Sequence, residues 1–89
     1  MNPSLEKSKL VVKVIRKLLT DHFFISPEFF RLDRTFKNDF GFNSLEMTEL
    51  IVMIEDRLGI QFPDEAIENI HNVRDLAYLT EQSLIPVKA

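Results

Sequence analysis

Eighty-nine residues, 45% hydrophobic and 28% charged, make one globular domain, long enough to bury a core and too short for two. The absence of cysteine excludes disulfide frameworks and thiolate metal sites. The formal net charge of -3 conceals an asymmetry: residues 1–37 carry eight Lys/Arg against four Asp/Glu, whereas residues 38–82 carry only Arg57 and Arg74 against ten acids. An acidic second half repels phosphate backbones, which argues against nucleic acid as a partner and for proteins with basic docking patches. No apolar run approaches the roughly 20 residues that cross a bilayer, so no membrane insertion is expected. The segment Met1–Glu6 lacks the basic-then-apolar order of a signal peptide, and the expected location is cytoplasmic.

A first helix is expected over about residues 3–20, with Asn2 as its N-cap and Pro3 at the first helical position, where a missing N–H costs nothing. Leu10, Val11, Val14, Ile15 and Leu18 recur at helical spacing as its core face. Lys9, Lys13, Arg16 and Lys17 fall mostly on the other side. No aromatic residues are interleaved with them, so a solvated face explains them better than a nucleic-acid or membrane surface.

Residues 21–43 form a long connection in which Ser26-Pro27-Glu28 marks the start of a short helical segment. Connections of this length in compact domains are usually functional or partly structured. Seven of the eight phenylalanines lie here: Phe23, Phe24, Phe29, Phe30, Phe36, Phe40 and Phe42. They either pin the loop to the bundle or, in part, line a pocket or a partner-facing patch.

A second helix is expected over 44–58. At 100° per residue, Met47, Leu50, Ile51, Ile54 and Leu58 gather into one core-facing stripe. The opposite side carries Glu49 and Asp56, flanked by Glu46 and Glu55, and also Leu45, Val52 and Met53. Single exposed apolar residues are ordinary; three on one acidic ridge have the character of a docking surface. Gly59, free to take positive φ, ends the helix. Pro63-Asp64-Glu65 opens a short helix over 64–70 with Ile67 and Ile70, its acids in the first turn where the macrodipole favours them. Asn72 caps a last helix over 73–82, with Asp75 in the capping-box position and Val73, Leu76, Leu79 and Thr80 facing inward. Residues 83–89 read as a tail, and no stretch reads as a strand.

Enzymatic chemistry lacks its parts. His22 and His71 are far apart at the edges of elements, and Ser44 has no base beside it. A calcium loop with Gly41 at its sixth position would put Phe36, Phe40 and Met47 where ligands belong. Two distant glycines cannot form a phosphate-binding glycine loop. What remains is the entrance to the second helix. With Asn43 as N-cap, Glu46 stands at N3 and completes a capping-box variant, so Ser44 occupies the first helical position with its hydroxyl not needed for the cap. A phosphate ester there would sit on free backbone N–H groups at the positive end of the helix.

The run Leu32 to Glu46, with Glu49-Leu50, Glu55-Asp56 and then Phe62-Pro63-Asp64-Glu65, resembles the acyl carrier proteins, and the resemblance extends from the first helix to the last. It rests most specifically on Gly-x-[Asp]-Ser-Leu opening an acidic helix, followed at the expected distance by a Pro-Asp-Glu turn. It implies an all-α four-helix bundle with a long loop between helices 1 and 2 and a short third helix, one carrier domain spanning residues 1–89. It further implies that Ser44 receives 4'-phosphopantetheine from coenzyme A through a phosphopantetheinyl transferase. The chain would be a carrier acted on by other enzymes, serving acyl-transferring and synthase partners in fatty-acid, polyketide or related lipid biosynthesis, as a monomer. Carried over, Glu46, Glu49, Glu55 and Asp56 steer those partners, and Leu45 and Val52 form the apolar centre of the contact. An aminoacyl or peptidyl carrier would share these features, and an unmodified interaction module would share the fold. Three features depart from the pattern: Asn43 stands where aspartate is usual, Arg57 interrupts the acidic run, and the first loop is rich in phenylalanine.

Overall fold

The computed structural model describes residues 3–84, with side chains described from Ser8. Four α-helices follow in order: α1 Pro3–Asp21, α2 Ser44–Leu58, α3 Asp64–Ile67 and α4 Val73–Leu84, with a 3-10 turn at Pro27–Phe29. Among the described residues there is no strand, and the one isolated antiparallel bridge joins Thr35 to Asn72. The expected cap at Asn2 lies outside the described residues.

Helix α1 packs against both α2 and α4. Its buried face is Val11, Ile15, Leu18 and Leu19; α2 contributes Leu50, Ile51 and Ile54; α4 contributes Val73, Leu76, Ala77 and Thr80. Between them lie Phe36, Phe42 and Phe62 from the connections. The Thr80 hydroxyl, fully buried, donates to Leu76 C=O at 2.7 Å, and among the described residues no buried side-chain nitrogen or oxygen lacks a partner. Across the bundle, Ser8 Oγ donates to Glu81 at 2.6 Å, tying α1 to α4.

Several details differ from expectation. Leu10 is 53% exposed while Leu19 is fully buried, because α1 faces two helices and its apolar stripe is turned from the one its spacing indicates. Met53 packs partly against the core and does not stand out on the acidic ridge. Helix α3 stops at Ile67, and successive turn bonds, Asn69 N–H to Ala66 O and Ile70 N–H to Ile67 O, carry the chain onward. Helix α4 runs to Leu84, so Ser83 and Leu84 belong to the helix and not to a tail; Ser83 Oγ donates back to Leu79 C=O.

Left-handed backbone follows two of the helices. Gly59 after α2 has φ 65°, with the Ile60 N–H reaching back to Glu55 C=O at 3.1 Å. After α1 the left-handed residue is Phe24, at φ 59°, a conformation that costs an L side chain on the order of 1–2 kcal/mol.

The long connection is ordered by hydrogen bonds to the start of α4. Val73 N–H donates to Arg34 O, Arg74 N–H to Leu32 O and Phe36 N–H to His71 O, at 2.8–3.0 Å. Thr35 and Asp39 bond reciprocally, each backbone N–H to the other's side chain. Phe36, Phe40 and Phe42 cluster with ring centroids 5.7–5.9 Å apart. Arg34 lies 4.0 Å over the Phe29 ring and Arg16 6.0 Å from Phe30. Most of the phenylalanines therefore pin the loop. Phe24 does not: it is 88% exposed. At the 3-10 turn the Ser26 hydroxyl donates to the Glu28 carboxylate and holds that carboxyl below its ordinary range.

Candidate functional site

The loop delivers the chain to the entrance of α2 in a fixed register. Phe42 N–H donates to Phe36 O at 2.7 Å, and Gly41, at φ 68°, supplies the left-handed turn that lets Phe42 point inward immediately before the helix. Phe42, 9% exposed, is held by Phe36 and Phe40 and by Phe23 at 4.9 Å. The next residue, Asn43, is the N-cap. Its Oδ1 accepts from Glu46 N–H at 2.8 Å while Glu46 Oε1 accepts from Asn43 N–H at 3.0 Å, a complete capping box.

Ser44 is thus the first helical residue, exposed, with its hydroxyl outside the cap. A residue at this position contributes an N–H with no intrahelical acceptor, as does Leu45 after it, so Ser44 stands at the positive, donor-bearing end of α2. Beside it opens a cleft of about 660 Å³ whose walls come from three segments: Thr35, Lys37 and Asn38 of the loop; Phe42, Ser44, Met47 and Thr48 of the helix entrance; Ile67, Ile70 and His71 of the α3–α4 connection. Its lining is more apolar than polar, and the polar side chains in it are Lys37, His71, two asparagines and the hydroxyls of Thr35, Ser44 and Thr48. Thr48 stands one helical turn after Ser44 on α2, whereas Lys37 and His71 were not legible as site residues, since the hydrogen bonds between the loop and the start of α4 bring their segments together.

The other residues on α2 divide. Leu45 and Val52 are exposed at 72% and 45%, and Glu49 and Asp56 are exposed beside them. The Glu49 carboxylate lies 3.3 Å from His22 Nε2, linking the end of α1 to α2. Glu46 and Glu55 are half-buried and already engaged: Glu46 in the capping box, Glu55 accepting from Phe62 N–H at 2.8 Å, which anchors the segment after α2. Arg57 occupies the last turn of α2, where the macrodipole favours a cation. Among the described residues no cluster of His, Asp or Glu is arranged to hold a metal, and no helix is long and apolar enough to cross a membrane.

A covalently attached phosphate-linked arm fits this setting. It needs an accessible hydroxyl, donors for the phosphate oxygens and room beside them, and Ser44, the helix entrance and the cleft supply all three. Known proteins are similar to this chain in sequence and in fold. Residues 11–79 match the family model described as the phosphopantetheine attachment site. The chain is 40% identical over 68 residues to acyl carrier protein 2 of Pseudomonas aeruginosa, covering 75% of this chain and 86% of that one. It is 31% identical over 68 residues to the acyl carrier protein of Zymomonas mobilis, covering 75% and 87%. The fold is similar to that of the crystal structure of an acyl carrier protein from Thermotoga maritima, with a TM-score of 0.76 at 24% identity over 88% of this chain and 91% of that one.

Proposed function

Because the chain belongs to the acyl carrier protein family, whose cofactor is covalent 4'-phosphopantetheine, we infer that Ser44 is the residue that carries the arm. The observation that carries this reading is the capping box. Asn43 and Glu46 satisfy the cap between themselves, which leaves the exposed Ser44 outside the cap at a donor-rich helix end. The arm supplies a terminal thiol on which acyl groups ride as thioesters, in fatty-acid, polyketide or related lipid biosynthesis. The protein's own part is to present and shield. The loop cluster Phe36–Phe40–Phe42 fixes the position of Ser44, the backbone donors of α2 offset the phosphate charge, and the cleft with Lys37 and His71 gives the arm a place to lie. Nothing in this role requires the chain to catalyse a step; it is a substrate of other enzymes, in the cytoplasm. The test is incubation with coenzyme A, magnesium and a broad-specificity phosphopantetheinyl transferase, read by intact mass. A gain of one phosphopantetheine supports the carrier reading; no gain with several transferases would favour an unmodified interaction module.

The outer face of α2 is the docking surface in this reading, with Glu49 and Asp56 as its exposed charges, Glu49 also in contact with His22, Glu46 and Glu55 as half-buried charges already serving the fold, and Leu45 and Val52 as the apolar centre. Reversal of Glu49 and Asp56 to lysine is expected to lower transferase kcat/KM by roughly tenfold at low salt and less at high salt, with helicity unchanged. Salt-independent or unaltered kinetics would remove these two residues from the interface. At the cap, Asn43→Asp retains an acceptor for Glu46 N–H and adds a negative charge beside Ser44. Faster loading by a transferase with a basic docking patch is the expected result, and slower loading would show that the asparagine is not what limits it.

A further inference from the structure

Among the described residues, Phe24 is the most exposed large apolar side chain, at 88%, and the one non-glycine residue with left-handed backbone. It lies three residues beyond Asp21, the last residue of α1, in a left-handed conformation that glycine adopts most readily. The surroundings hold the phenylalanine in this conformation. Phe23 turns inward, its ring 4.9 Å from that of Phe42 and 4.8 Å from that of His22. Ile25 packs against the core, and its N–H reaches Leu19 C=O at 2.9 Å. His22 is in turn bonded to Glu49 on α2. With both neighbours held inward, Phe24 projects outward as an apolar knob on a fixed stretch of backbone. Strained positions that persist concentrate where partners or ligands are met, and an aromatic side chain that becomes buried in a recess is a type that anchors protein contacts.

Its location gives the contact a direction. Phe23 rests on Phe42, two residues before Ser44, and His22 touches Glu49, so the knob stands at the Ser44 end of the acidic helix, the end where Leu45 is also exposed. An apolar knob beside an acidic ridge complements a surface that is basic with an apolar recess. We propose that Phe24 is a docking anchor for the enzyme that installs the arm on Ser44, inserting into an apolar recess beside that enzyme's basic patch. The proposal rests on the attachment reading above.

The test is the kcat/KM of arm transfer from coenzyme A by a broad-specificity phosphopantetheinyl transferase, measured for wild type, Phe24→Gly, Phe24→Tyr and Tyr78→Ser, with Tm recorded for each. Glycine adopts this backbone without strain, so Phe24→Gly remains folded. It is expected to lose about tenfold in kcat/KM, mainly through KM. Because the contact is apolar, the loss persists at high salt, unlike that of the Glu49 and Asp56 reversals. Phe24→Tyr retains the knob and most of the activity. Tyr78→Ser, which removes an exposed aromatic ring from α4, leaves the kinetics unchanged. A Phe24→Gly chain with intact Tm and wild-type kcat/KM would overturn the proposal while leaving the attachment reading standing. A wild-type chain that gains no arm would overturn both.

Discussion

Ser44→Ala is expected to abolish arm transfer outright while leaving the fold and its stability essentially unchanged. The two halves of this expectation come from one feature. Arm transfer forms a bond from the serine oxygen to the phosphorus of the arm, with the remainder of coenzyme A as the leaving group; without the hydroxyl there is no acceptor, and no neighbouring group substitutes for it. The fold is indifferent because the cap that starts α2 is made by Asn43 and Glu46 and not by Ser44. An exposed substitution outside any cap or core changes stability by about 0.5 kcal/mol or less. Intact mass and thermal unfolding on the same preparation check both halves. A variant that still acquires the arm, or one that is markedly destabilised, would show that Ser44 has been given the wrong role.

Phe36→Ala is expected to cause the largest loss of stability among single changes near the site. Phe36 is 3% exposed, its ring meets those of Phe40 and Phe42 at 5.7 Å, and its backbone joins the loop to His71 ahead of α4. Truncating a buried phenylalanine costs about 3–5 kcal/mol, a large share of the roughly 5–15 kcal/mol that stabilises a domain. The cavity would open under Phe42, the residue that sets Asn43 and Ser44 in place, so loading should fall together with stability. Denaturant unfolding gives the measure: a midpoint lowered with an unchanged slope. A cost below about 1 kcal/mol would mean that the loop collapses onto the gap, and that the phenylalanine cluster does not position Ser44.

What could be read in the sequence was local. The spacing of Asn43 and Glu46 specified the cap at Ser44, Asn72 and Asp75 specified the one before α4, and both form reciprocal bonds. Leu50, Ile51 and Ile54 were legible as core because α2 offers one clear apolar stripe. The features that escaped are those decided by tertiary contact. Leu10 and Leu19 exchange roles because α1 answers to two neighbours. Glu55 looks like a surface acid until the turn after α2 brings Phe62 N–H to it seven residues later. The cleft joins residues near 36, 45 and 70, and no spacing along the chain signals that meeting. Phe24 was visible only as one phenylalanine among seven. Its exposure follows from the inward packing of Phe23 and Ile25, and its backbone strain from the way α1 ends.

The central claim, that the arm is attached at Ser44, is tested most directly by locating the modification in the peptide sequence. Wild-type chain loaded from coenzyme A is digested, and the peptide that bears the phosphopantetheine is fragmented. The account predicts a single modified peptide containing Phe42-Asn43-Ser44-Leu45, with the added mass on Ser44. An arm found on any other serine or threonine, or an unmodified peptide from a preparation whose intact mass has increased, would contradict it.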